Sequence, residues 1–248
     1  MHPMGNGAQR RASSQAAIGK LGGDKMSGPL DIWRQAAAKW SEVYGQVTDS
    51  QWERPTPCEE WTVRQLVDHT LSWQAEGGRL IGADTAPGDD WDRIRVAFDV
   101  LLSDLSQLTG GVAEFGGIPK QDLAGFLIGD LLIHSWDLSR SIGADEALPP
   151  DAGEATTIGL HHVPPALLRG TNPLGQKMMA AAVEVPADAS PQDKMLAFTG
   201  RRPLGTDPDR SRAAASTSDR RDRPGSLSVN RSAPGVPGGR CDRGSRQP

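Results

Sequence analysis

Residues 129–137 read GDLLIHSWD, and within this apolar run Asp130 and His134 stand four residues apart. On an α-helix positions i and i+4 share a face, which puts both on the stripe carrying Leu127, Leu131 and Leu138. His69 sits in a similar way, three residues beyond Leu66 and four before Trp73. Three ionisable side chains then point at a core, where an unpaired carboxylate costs several kcal/mol. Two arrangements satisfy them. One is an Asp–His hydrogen bond within a single helical turn, with His69 an unrelated core histidine. The other is two imidazoles and one carboxylate converging from facing helices on a divalent cation, an open mononuclear site with positions left for water or substrate.

Other polar residues compete for roles near this constellation. Asp137, three residues beyond His134, is either a carboxylate orienting an imidazole from behind or a surface charge paired with Arg140. Trp136 is a candidate to line the mouth of the site. Cys58 lies in a Pro-rich turn ahead of the His69 segment; a structural role is expected there over a reactive thiol at a helix N-terminus. His161 and His162 are adjacent, so on a helix they point about 100° apart and at most one could join the site. Asp68 falls on a different face from His69 and is expected to be solvated.

The elements that must position these groups follow from periodicity. Trp33, Ala36, Ala37, Trp40, Val43, Tyr44 and Val47 recur at the spacing of one amphipathic helix. In PTPCEEWTVRQLVDHTLSW a Pro-rich turn leads to Thr62 with Gln65 three residues on, a capping box, and then to Val63, Leu66, Val67, Thr70 and Trp73 on one face. A third stripe is predicted from Ile94, Ala97, Phe98, Leu101, Leu105 and Leu108, closed by Gly110 and Gly111. The fourth opens at Pro119 and carries Leu123, Phe126, Leu127, Leu131 and Leu138. Four such helices predict an all-α domain, an up-and-down four-helix bundle. Beyond it, EALPPDAGEATTIGLHH predicts a shorter helix ending before Pro164, MMAAAVEVP a short strand or helix, and SPQDKMLAFTG a small helix capped by Ser190 and Asp193 and stopped by Gly200.

Charge divides the chain into three. The net charge of −4, set against +3 over residues 1–28 and +6 over residues 201–248, leaves −13 for the middle. Residues 204–248 lack aromatics and lysine and carry few large aliphatics, too little apolar area to offset the entropy of ordering. The expected organisation is a disordered extension over 1–28, one helical domain with a small C-terminal remnant over 29–203, and a disordered Arg/Gly/Ser/Pro-rich tail over 204–248. Met26 is a candidate start, and residues 1–25 and 204–248 are either part of the native protein or additions to it. No secretory signal is evident at the N-terminus, and no run reaches the 18 or so apolar residues of a membrane span. The basic tail lacks interleaved aromatics, so neither nucleic acid nor membrane is an expected partner. Two cysteines, Cys58 and Cys241, fit a reducing cytoplasm.

The segments WERPTPCEEWTVRQLVDHTLSW, GDLLIHSWDLSRSIGADEALP and VPADASPQDKMLAFTGRRP together resemble the DinB/YfiT-like superfamily. Within it they are most similar to actinobacterial metal-binding proteins related to the N-terminal domain of mycothiol-dependent maleylpyruvate isomerase. The resemblance spans residues 29–203. It implies a four-helix bundle and a divalent metal, commonly zinc, held by His69, Asp130 and His134. It also implies a low-molecular-weight thiol such as mycothiol acting on an electrophilic substrate, hence a thiol transferase or isomerase; a homodimer is the assembly expected. Two departures bear on activity: Asp130 stands where the isomerase has Glu, and only a short remnant stands where the isomerase has a sizeable C-terminal domain. A metal-dependent hydrolase and a non-catalytic metal- or ligand-binding stress protein are therefore the alternatives.

Overall fold

The first amphipathic stripe folds as α1, Pro29–Tyr44, with its proline in the opening turn, where a missing N–H costs nothing. Trp33, Ala36, Ala37, Trp40 and Val43 line its buried face. The computed structural model describes residues 27–58, 61–163, 168–171 and 178–204. Helix α2, Val63–Ile81, begins at the predicted box, Thr62 Oγ1 accepting from the Gln65 N–H and Gln65 reaching back to the Thr62 N–H. Helix α3, Trp91–Ser103, is capped by Asp90, which accepts from the Arg93 N–H. Helix α4, Lys120–Ile142, is the longest and ends at Gly143 in the left-handed conformation. Helices α5, Pro150–His162, and α6, Pro191–Phe198, follow.

Helix α4 is the axis of the packing. It lies against α1, α2 and α5, while α3 closes on α1 and α2, and α6 on α5. Every residue from Leu127 to Ser139 is buried except the half-buried Asp130. A helix apolar on all sides belongs inside a fold, and this one explains why its stripe reads as a nearly continuous apolar run. The described residues are thus predominantly helical, with six α-helices and one two-stranded sheet. Because α5 and α6 add to the four long stripes, the helical set is larger than the four-stripe pattern alone.

Two local expectations need correction. The third stripe does not continue to Leu108 as one α-helix. Asp104 takes the Ser106 N–H on its own carboxylate, and residues Leu105–Leu108 tighten into a 3₁₀ turn. Leu105 is consequently 41% exposed, whereas Leu108 stays in the core. The segment MMAAAVEVP forms neither strand nor helix over its described residues; it is held by isolated backbone bonds, Met179 N–H to Leu168 and Val183 N–H to Ala197. A short antiparallel pair that periodicity does not predict, β1 (Gly111–Val112) with β2 (Ile118–Pro119), leads into α4. The Pro164–Pro165 stop lies outside the described residues, as do the two predicted disordered ends apart from Ser27, Gly28 and Leu204. No helix among the described residues is long and apolar enough to cross a membrane.

Close contact between α2 and α3 depends on Gly78. A Cβ there would stand 2.7 Å from Phe98 Cε2 and 2.9 Å from Thr85 Oγ1. The Phe98 ring is stacked on Trp33 at 4.4 Å and has little room to retreat. Overpacking of about 1–3 kcal/mol opposes a helix-propensity gain of about 1 kcal/mol. Gly78→Ala is therefore expected to lower the unfolding free energy by up to about 2 kcal/mol, as read from the urea midpoint at unchanged slope.

Candidate metal centre

Helices α2 and α4 are drawn together by a small residue and a buried hydrogen bond. A Cβ on Gly77 would collide with the Leu127 side chain, and Gln74 Nε2 donates to the Leu127 carbonyl at 2.9 Å. These contacts set the register that brings His69 opposite the Asp130/His134 face. His134 Nε2 lies 3.5 Å from Asp130 Oδ1. The His69 ring stands nearly perpendicular to that of His134, centroids 5.3 Å apart. One donor atom from each of His69, Asp130 and His134 lies within 4.8 Å of the others. Trp61, in the turn before α2, packs on His69 at 4.5 Å and stands 6.2 Å from His134.

Asp130 Oδ2 is buried and has no hydrogen-bond partner. Leaving a carboxylate oxygen buried and unpaired is costly, and a cation between the two imidazoles and this oxygen would remove the cost. Two nitrogen donors and one oxygen donor are a set suited to zinc and related divalent ions.

The other ring nitrogen of His134 is equally occupied. Nδ1 lies 2.9 Å from Asp137 Oδ2, and Asp137 is fully buried. Arg201, from the segment after α6, donates to Asp137 Oδ2 at 2.7 Å through Nη2 and to Oδ1 at 3.2 Å through Nε. The Cys58 thiol donates to Asp137 Oδ2 at 3.2 Å. It also sits 3.9 Å from His134 Nδ1 and 3.3 Å from Arg201 Nη2. Cys58, His134 and Asp137 therefore make a second trio within 4.8 Å. Arg201 already places its positive charge against it.

Of the two roles open to Asp137, the geometry is that of a buried partner for His134, and its guanidinium comes from Arg201 rather than Arg140. Arg140 instead lies over the Trp136 ring at 4.3 Å and pairs with Glu146. Trp136 is 1% exposed beneath it. The indole beside the two histidines is that of Trp61. Asp68 is exposed as expected. His161 stacks on Phe198, and neither it nor His162 joins either trio. Arg201 and Trp61 were not singled out by sequence. The aromatic beside the Thr62 cap was a signal for Trp61; an arginine 64 residues beyond Asp137 carries none.

Charge at the centre is shared unevenly. Burial opposes a charge on His134, yet Asp130 and Asp137 on its two sides outweigh it and push the pKa up to about 10. Burial, reinforced by the charge on His134, brings His69 down to about 4. Burial would raise the Asp137 carboxyl, but Arg201 and His134 hold it well below the ordinary carboxylate range. Burial, together with Asp137, raises the Cys58 thiol. With no metal bound, His134 is thus an imidazolium held between Asp130 and Asp137, with the neutral His69 imidazole facing it.

The sequence profile of the mycothiol maleylpyruvate isomerase N-terminal domain matches residues 33–165. The chain belongs to this family. That span contains His69, Asp130, His134, Asp137 and Cys58, and it ends short of Arg201. Two uncharacterised proteins of Mycobacterium tuberculosis, from strains CDC 1551/Oshkosh and H37Rv, are each 25% identical over 181 residues, covering 70% of this chain and 97% of the relative. No solved structure matches significantly.

These shifts give the metal-free protein a two-sided pH profile. The contribution of His134, with its pKa raised from 6.5 to about 10, is complete below pH 6.5 and is lost as pH rises towards 10. That of His69, lowered from 6.5 to about 4, is complete above pH 6.5 and is lost as pH falls towards 4. Thermal melts of metal-free protein are expected to peak near pH 6.5. A metal on Nε2 takes the place of the His134 proton, so metal uptake near pH 8 is expected to release about one proton per ion. Calorimetry in buffers of different ionisation enthalpy measures that release.

Proposed function

We propose that the protein binds a divalent cation, zinc first among the candidates, on His69, Asp130 and His134. We infer further that it works in the cytoplasm as a thiol-dependent transferase or isomerase, with mycothiol or a thiol like it as co-substrate and an electrophile as substrate. The observation that carries the metal reading is the trio of donor atoms within 4.8 Å in which a buried Asp130 oxygen has no other partner. Family membership supports the thiol. On this reading α1–α4 act as the up-and-down bundle that holds the site, within a domain over residues 29–203.

A bound divalent cation would supply Lewis acidity, lowering the pKa of a coordinated thiol or water or polarising a carbonyl. The chain's own residues prepare that position. Asp137 accepts from His134 Nδ1, so Nε2 is the ring nitrogen that faces Asp130 and that a cation would take in exchange for its proton. The Trp61 indole covers His69 and limits solvent on that side. Asp130, shorter by one methylene than Glu, would hold the ion through a carboxylate kept close to α4.

A second reading, metal or ligand binding without turnover, is favoured by one feature. Asp137 and Cys58, the acid–base groups on the far side of the His134 ring, are both engaged with Arg201.

Elemental analysis of protein purified without a histidine tag is expected to show about one divalent ion per chain. His134→Ala is expected to lose that ion while keeping its helical circular dichroism; full occupancy in the folded variant would sink the metal assignment. Turnover of maleylpyruvate and a panel of electrophiles, with and without mycothiol, then separates the readings. Thiol-dependent product supports the transferase or isomerase, thiol-independent hydrolysis selects a hydrolase, and saturating metal with no product selects the binding protein.

A further inference from the structure

His134 stands between two candidate ligand trios, and each would use a different ring nitrogen. Nε2 faces Asp130 on the His69 side; Nδ1 faces Asp137 and Cys58 on the other. A thiolate, an imidazole and a carboxylate form a softer set than two imidazoles and a carboxylate. For zinc-like ions the Cys58 side is therefore a serious competitor. A single imidazole shared between two such sets would let the ion settle on either side of the ring.

The fold already has a cation on the Cys58 side. The Arg201 guanidinium contacts both Asp137 oxygens, at 2.7 and 3.2 Å, and the Cys58 sulfur at 3.3 Å. Its Nη1 donates to the Thr199 carbonyl at 3.1 Å, which fixes the plane of the group. Arg201 is drawn there by the chain around it. Its own N–H bonds to Leu196 at the end of α6, and Arg140 of α4 donates to the carbonyls of Arg202 and Pro203, each at 2.8 Å. A guanidinium stays charged at any physiological pH and presents a rigid fork of donors, so it is a permanent occupant where a metal would be an exchangeable one.

We propose that Arg201 is a positioning residue that decides where metal binds: its guanidinium takes the cation position among Cys58, Asp137 and His134 Nδ1, and so confines a divalent ion to the Nε2 side with His69 and Asp130. The proposal rests on the metal reading above. It adds that a segment beyond the bundle, residues 199–203, sets the choice between a thiolate-containing site and a thiolate-free one.

Cobalt(II) titration of the full chain tests it, because thiolate ligation gives an intense near-ultraviolet charge-transfer band that histidine and carboxylate ligation does not. Wild type is expected to bind cobalt without that band. Arg201→Met is expected to gain the band, and Arg201→Met combined with Cys58→Ser to lose it. Arg201→Gln, which keeps a hydrogen-bond donor but no charge, is expected to behave as Arg201→Met does and serves if the Met variant fails to fold. A thiolate band in wild type overturns the proposal, as does its absence from a folded Arg201→Met or Arg201→Gln chain that still binds cobalt. Wild type that binds no cobalt, beside an Arg201→Met chain that gains the thiolate band, would overturn the His69/Asp130/His134 site and leave the blocking role of Arg201 standing. No cobalt binding in any of the chains would overturn both.

Discussion

The carboxylate of Asp137 is buried with one oxygen shared among an imidazole, a thiol and a guanidinium. Those partners come from α4, from the turn before α2 and from the segment after α6, so one buried charge ties three distant stretches of chain to one point. Burying an ion pair rarely adds net stability, but deleting one partner leaves an uncompensated charge and costs about 3–5 kcal/mol. The chain cannot place Asp137 inside without also docking Arg201 and orienting His134.

The candidate metal centre inherits its order from that constraint. His134 is held from behind through Nδ1, its opposite nitrogen is aimed at Asp130, and α2 brings His69 to face it through the close approach at Gly77 and the Gln74–Leu127 bond. Each contact is ordinary. Their combined effect is that three donor groups meet in a region otherwise packed with leucine and tryptophan, where polar groups survive only with partners. Among the described residues of the three-donor cluster, the Asp130 oxygen is a place where protein atoms alone leave that rule unsatisfied.

Helix α4 shows how packing and chemistry share a single element. Its first and last turns carry exposed or half-buried positions, whereas its middle is enclosed by α1, α2 and α5. Groups placed there experience strong mutual electrostatics because water is distant, which is why neighbouring histidines are driven to opposite protonation states, His134 charged and His69 neutral. The same helix also recruits the C-terminal segment through Arg140. Scaffold and site are therefore coupled along one rod.

The sequence by itself determined the helices and the inward placement of His69, Asp130 and His134, because a 3.6-residue period and a Thr62–Gln65 box are local properties of the backbone. It also located the Ser190 cap and the helix before Pro164. Only the tertiary structure decided that α3 yields to a 3₁₀ turn at Asp104, that Trp61 stands beside the histidines, and that Arg201 rather than Arg140 holds Asp137. Each of those outcomes depends on which surfaces meet after the chain has turned several times, and no spacing within one helix encodes a contact 64 residues away.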